Sequence, residues 1–368
     1  MKIRTILPVV ALVTTLASCN NGDTGDQLGD YFRRNDFAGV GRQNAASFKV
    51  KGFNYISTGN IGASYGVSQD VQETWKLDTT ISAATGGSWI QVASFPGTGR
   101  TQAVGFADAN YGYVGTGQDV VTGNNFSDFH IYDPSTNKWD TINGQSFKVA
   151  DFSTAPNIST PQRCNAVSFS LNNIGYVGAG QNTSINAFML DFYSYSFASN
   201  SWTRVGGLSH KTSGATSFVV NGLAYIVGGT DGSGGYSKYF SVYTPSTQSF
   251  TDKRQIVNAT DSSFDDLYTS IQRQNGVALV LKSPISDHQQ VYFMQGQNGS
   301  ALNSCWMWDP PTDQWTIQNP YPGQARYGAV AVQFGGRGFF ATGGTGSATY
   351  DNVVEYLPGI ALNTNDYQ

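Results

Sequence analysis

One spacing recurs along the whole chain. A basic residue, an aromatic or aliphatic residue six positions on and a glycine seventeen positions on appear as Arg42/Phe48/Gly59, Arg100/Phe106/Gly117, Arg163/Phe169/Gly180 and Arg326/Val332/Gly343. Another copy keeps Phe218 and Gly229 but holds Thr212 at the basic position, with Lys211 one place early; a further one starts at Arg273 and reaches Gly296 late, because KSPISDHQQ lengthens its first hairpin. The copy from Arg100 to Trp139 reads as two strands, a polar loop, a third strand, a tight turn and a Trp that opens a fourth. A lone four-stranded unit cannot bury its own faces, so the copies must pack on one another. Six of them in a chain of 368 residues predict an all-β ring of six blades.

The third strands read as TWKLD, FHIYDP, AFMLDFY, YFSVYTP, CWMWDPP and NVVEYLP. In three copies an aromatic follows six residues after the strand, as Asp133 to Trp139, Thr244 to Phe250 and Asp309 to Trp315. An Asp or Thr before Pro presets a turn, because the ring fixes φ and the short polar side chain bonds the backbone ahead of it. The last copy, Arg326–Pro358, has no Trp after its third strand. Tyr31, Phe37, Gly39 and Arg42 repeat the spacing of Trp89, Phe95, Gly97 and Arg100. Tyr31–Arg34 is therefore predicted as the missing strand, closing the ring with the N-terminal segment and removing an open edge.

Residues 1–18 read as a leader, with Lys2 and Arg4 ahead of an apolar run too short to cross a membrane. Leu16-Ala17-Ser18-Cys19 resembles the bacterial lipobox, which implies diacylation of Cys19; Asn20 after it implies the outer membrane of a Gram-negative cell, facing the periplasm or the surface. Residues 19–29 are a polar tether, 30–358 the propeller and 359–368 a C-terminal tail. Without the leader, 19 basic residues stand against 25 acidic ones, which argues against a nucleic-acid partner. Cys164 and Cys305 fall in copies that are not ring neighbours, which excludes a disulfide between them and leaves two small buried residues.

Two links between copies are long, Asp140–Gln162 and Thr251–Gln272; SFDDLYTSI in the second suits a short helix capped by Asp261 or Ser262. The acids Asp261, Asp265 and Asp266 match no calcium-loop spacing and read as a solvated helix start.

With these residues laid out, the chain resembles the kelch-repeat β-propellers from Tyr31 to about Pro358: Gly228-Gly229 after an aromatic second strand, relaxed to STG, GTG and GAG elsewhere, then the aromatic third strand and the Trp opening the fourth. Phe250 departs from that pattern in place of a Trp. The resemblance implies a six-bladed kelch-type fold. Its known activities span copper radical oxidation, sialic acid epimerisation and protein binding. The copper chemistry needs a Tyr–Cys cross-link and His ligands; His130, His210 and His288 fall on different parts of the repeat, so no metal or other cofactor is assigned.

In an up-and-down blade the starts of strands one and three share a face with the ends of strands two and four. That face gathers Arg42, Arg100, Arg163, Arg273 and Arg326, then Asn44, Gln102, Asn165 and Asn275 two positions on, and Asn60, Gln118, Gln181, Thr230 and Gln297 after the second-strand glycines. Amides, a hydroxyl and arginines suit a sugar, a peptide carboxylate or a protein loop. For the arginines a second role stands beside this one, bonding backbone carbonyls between blades. The inner strands offer no general acid or base, which favours a membrane-anchored binding module for a protein or glycan over the alternative, a carbohydrate-active enzyme like the epimerase.

Overall fold

A computed structural model of the chain describes residues 27–63, 68–257 and 268–366. The leader and Cys19 lie outside the described residues, as does most of SFDDLYTSI, whose described end is a 3-10 turn at Tyr268–Ser270.

The described chain forms six antiparallel four-stranded sheets. Blade one is Ala46–Val50, Phe53–Ser57, Thr74–Asp78 and Ser88–Val92. Blade two is Val104–Ala107, Gly112–Gly115, Phe129–Asp133 and Lys138–Trp139. Blade three is Val167–Leu171, Ile174–Gly178, Asp191–Ser196 and Ser201–Gly207. Blade four is Thr216–Val220, Leu223–Val227, Phe240–Thr244 and Ser249–Asp252. Blade five is Val277–Lys282, Gln289–Met294, Cys305–Asp309 and Gln314–Gln318. Blade six is Val330–Phe334, Arg337–Ala341 and Val353–Leu357, with Asp30–Arg33 as its outermost strand. The first strand of every blade packs against the first strands of its two neighbours, so the blades close into a six-bladed β-propeller.

The closing strand pairs Asp30 with Leu357, Tyr31 with Tyr356, Phe32 with Glu355 and Arg33 with Val354, starting one residue earlier than expected. Tyr31 is fully buried against Tyr321, Phe340 and Tyr356, and its hydroxyl donates to Asn319 O at 2.8 Å. The chain's other end meets it there. Gly29 N donates to Ile360 O at 2.7 Å, and Leu362 packs on the same cluster.

Alternation along each strand sends successive side chains to opposite faces, so every blade feeds two interfaces. Phe48, Val50 and Tyr55 pack toward blade two with Tyr132 and Trp139, whereas Ile56, Leu77 and Trp89 pack toward blade six with Val332 and Phe339. The repeated aromatic of the first strand stacks on a Tyr of the second: Phe106 on Tyr113 at 4.8 Å and Phe169 on Tyr176 at 4.8 Å. Room for the neighbouring ring comes from a glycine, since a Cβ on Gly175 would sit 1.9 Å from the ring of Phe106.

Blade three corrects one expectation. Its third strand is Asp191–Ser196, while Ala187–Phe188 instead pairs with Gln181–Asn182 in a small ribbon. DFYSYS alternates large and small residues and buries Phe192, Tyr193 and Tyr195, whereas AFML lacks that alternation. Trp202 then falls six residues after Ser196, as the matching aromatic does in blades two, four and five. The long link after blade two folds into a hairpin, Thr141–Ile142 with Gln145–Ser146, and a short 3-10 turn that buries Phe152 beside Trp202.

Candidate functional site

Two rings of backbone hydrogen bonds organise the end where first strands begin and second strands finish. Residues two places after the basic position take left-handed backbone angles, with φ of 53° at Asn44, 57° at Gln102, 48° at Asn165, 68° at Gly214, 53° at Asn275 and 64° at Gly328. Each N–H donates to the equivalent carbonyl of the preceding blade: Gln102 to Asn44, Asn165 to Gln102, Gly214 to Asn165, Asn275 to Gly214, Gly328 to Asn275 and Asn44 to Gly328, at 2.8–3.1 Å. The second ring joins each second-strand glycine to the carbonyl at the next blade's basic position, as in Gly59 N to Arg100 O at 2.9 Å and Gly343 N to Arg42 O at 2.7 Å. Asn and Gly tolerate left-handed angles, which is why these types recur in the first ring.

The arginines are not on the face. Arg42, Arg100, Arg163, Arg273 and Arg326 are all 0% exposed. Each guanidinium donates to a carbonyl at the end of its own second strand: Thr58, Thr116, Ala179, Gln295 and Thr342, at 2.7–3.2 Å. Each also reaches the start of the third strand, Arg42 to Glu73, Arg100 to Asp128, Arg163 to Asp191, Arg273 to Ser304 and Arg326 to Asn352. In blade four Thr212 Oγ1 serves the matching carbonyl, Gly228 O, at 3.1 Å. The arginines therefore staple strands one, two and three within a blade, and the two rings that link the blades at this end are made of backbone bonds. The reason is geometric: each guanidinium is buried behind the ring and held by a second-strand carbonyl and a third-strand partner, out of a ligand's reach. The partner at the head of each third strand is a sequence signal in its own right: a Glu, Asp, Ser or Asn stands at the same place in every repeat but blade four.

The residues after the second-strand glycines divide. Asn60 is buried and bound to Asp70, Gly62 N and Ser68 within its own loop, so it is withdrawn from the face. Thr230 Oγ1 donates to Gly235 O, and Gln181 touches the Cys164 thiol, which burial pushes up to about 12. Gln118 Nε2 donates to Gly123 O at 3.1 Å and to Thr183 Oγ1 at 2.8 Å, strapping the loops of blades two and three together. Gln297 is half-buried and pairs through its backbone with Gln274.

What remains at the centre is a mouth of about 150 Å³ lined by Asn44, Gln102, Asn165 and Asn275, with Gly214 and Gly328 completing the ring. Around its inner end stand Ala45, Ala103, Ala166, Ala215, Gly276 and Ala329, a small residue three places after every basic position that the repeat carried in plain view. Gln102 Oε1 is buried and unpartnered among the described residues. Asn44 Oδ1 lies over Gly328, where a Cβ would come within 2.2 Å of it, and Asn275 Oδ1 lies similarly over Gly214. Below, the channel widens to about 290 Å³ between the first strands. Polar side chains join neighbouring first strands: Ser168 Oγ donates to Gly105 O and Ser217 Oγ to Ser168 O along the channel, and the Gln333 amide bonds both Val280 N and Val280 O.

The histidines lie apart. His288 sits in a hairpin turn between Asp287 and Asp309, and His210 stacks on Tyr239 at 3.9 Å. His130 bridges Asp140 at 2.7 Å and Asp128 at 3.2 Å, tying the third strand of blade two to the end of its two-residue fourth strand. Burial works against its charge, but the hydrogen bonds it donates to both carboxylates raise it to about 9. A raised value means that the stabilisation is complete below the ordinary 6.5 and lost as pH climbs through about 9. His130→Asn is expected to lower stability at pH 7 by about 2 kcal/mol, below the 3–5 of a fully buried pair. In chemical denaturation the gap to wild type should narrow by pH 10; a constant gap contradicts a charged clamp.

Comparison with known proteins agrees with this architecture. A kelch motif matches residues 211–253, which are blade four with its lead-in. The solved structure of YjhT superposes with a TM-score of 0.65 at 18% identity, covering 87% of this chain and 96% of that one. At that identity the likeness is one of fold. No curated protein sequence matches the chain.

Proposed function

For a six-bladed β-propeller carrying a kelch motif, we propose the role of an exported, lipid-anchored binding module that holds a glycan or protein partner at its amide-lined mouth. The observation that carries this reading is the division of labour at the mouth. Backbone groups of Asn44, Gln102, Asn165 and Asn275 close the ring, and their side-chain amides are left lining an open cavity. Rigid, pre-positioned amides lose little freedom on binding. An enzyme on the same face needs an acid or base at the reacting centre, and the described lining is Asn, Gln, Ala, Gly and Thr.

The anchor rests on the sequence around Cys19. Two or more acyl chains hold a protein stably at a membrane. Cys19→Ala is expected to move the protein from the membrane pellet to the soluble fraction of a Gram-negative host; persistence in the pellet contradicts lipidation. For the face, immobilised full-length protein in mild detergent should capture cell-envelope glycans or proteins saturably. Asn165→Gly combined with Asn275→Gly should abolish capture. Turnover of sugar anomers by the wild type would instead support the enzyme reading.

A further inference from the structure

We infer that the mouth takes the terminal unit of an uncharged saccharide and rejects acidic sugars; this rests on the binding-module reading of the same face. A hydroxyl both donates and accepts, and so does a carboxamide through its NH2 and its oxygen, so amides pair with sugar hydroxyls in either sense. The amides are arranged as an arc and an opposing point. Asn44, Gln102 and Asn165 stand on three successive blades, and Asn275 stands on blade five, across the axis from Gln102. Gly214 and Gly328 leave the flanks of Asn275 without side chains of their own. A ring-shaped polyol set between the arc and Asn275 would meet amides on two sides and the C–H collar of Ala45, Ala103, Ala166 and Ala329 around the channel beneath it.

Size and charge narrow the choice. The mouth, at about 150 Å³, is on the scale of a single sugar ring. The cations that the repeat carries are removed from the mouth: all five arginines are buried and bound to carbonyls and third-strand partners. A carboxylate entering the mouth would lose water without gaining a positive partner among the described residues that line it. Amides alone repay hydroxyls well and a full charge poorly.

The test is an array of hexose- and N-acetylhexosamine-terminated glycans beside the same glycans capped with sialic or uronic acid, probed with the full-length protein in detergent. Binding is expected on the neutral set only, and it should vary little between about 50 and 500 mM salt because no ion pair contributes. Asn165→Gly with Asn275→Gly should weaken it at least tenfold at a near wild-type melting temperature. Glycine accepts the left-handed angle, and blades four and six already use it there. Equal or stronger binding to acid-capped glycans, or a steep fall with salt, overturns the inference. Capture of a protein and no glycan, lost in the glycine variant, overturns the sugar assignment while leaving the binding face intact. Neutral-glycan binding untouched by the variant overturns both.

Discussion

A chain lacking Asp30–Asp36 should fail to show a cooperative melt. The deletion strips the outer strand from blade six, with four residue pairs of its ladder, and removes Tyr31 from the centre of an aromatic cluster. It also removes Arg34, which donates to Glu355 at 2.6 Å; Glu355 is buried beneath Arg34 and Arg337, and Arg337 reaches on to Ala83 O of blade one. Burial raises the Glu355 carboxyl, but the two guanidiniums outweigh it and hold the group below its ordinary value. Losing a buried large side chain costs about 3–5 kcal/mol, and the lost ladder pairs and the loss of one of the two guanidiniums on buried Glu355 add to it. Together these reach the 5–15 kcal/mol on which a typical domain rests. Circular dichroism melting checks it, and a transition within ~5 °C of wild type would show that closure contributes little.

Arg163→Ala should be the most damaging single substitution in the ring, at about 3–5 kcal/mol, because it leaves Asp191 and the Ala179 carbonyl behind a buried cavity. Arg163→Lys should recover only part of this, since one ammonium cannot reproduce two parallel bonds to a carboxylate. Denaturant midpoints measure the effect. An unchanged midpoint with lost ligand binding would return the arginines to the face.

Much of the fold was legible because the repeat imposes both strand period and turn chemistry on the same positions. Phe48, Phe106, Phe169 and Phe218 announced the first strands, and their stacking on a second-strand Tyr follows from a fixed hairpin register. The ring closure followed from an aromatic in the wrong place, Tyr31 ahead of the first copy. Blade three was misread because AFML and DFYSYS are both apolar enough for a strand, and only packing against Trp202 chooses between them.

The site was half legible. Spacing brought Asn44, Gln102, Asn165 and Asn275 together, and the structure places them around one cavity. Spacing alone does not say whether a repeated Arg points outward or back into its blade. That depends on the carboxylates of Glu73, Asp128 and Asp191, which lie about thirty residues downstream in sequence and within hydrogen-bond reach in space. Likewise nothing near Asn60 signalled that Asp70 would turn it inward.

The central claim is that function resides in the amides of the mouth and not in the arginines behind them. A crystal structure of the protein soaked with the best neutral glycan from the array tests it most directly. The prediction is a terminal sugar ring over Ala45, Ala103, Ala166 and Ala329, hydrogen-bonded to at least two of Asn44, Gln102, Asn165 and Asn275. A ligand seated on the outer strands, or one that draws Arg100 or Arg163 out of its blade, would contradict it.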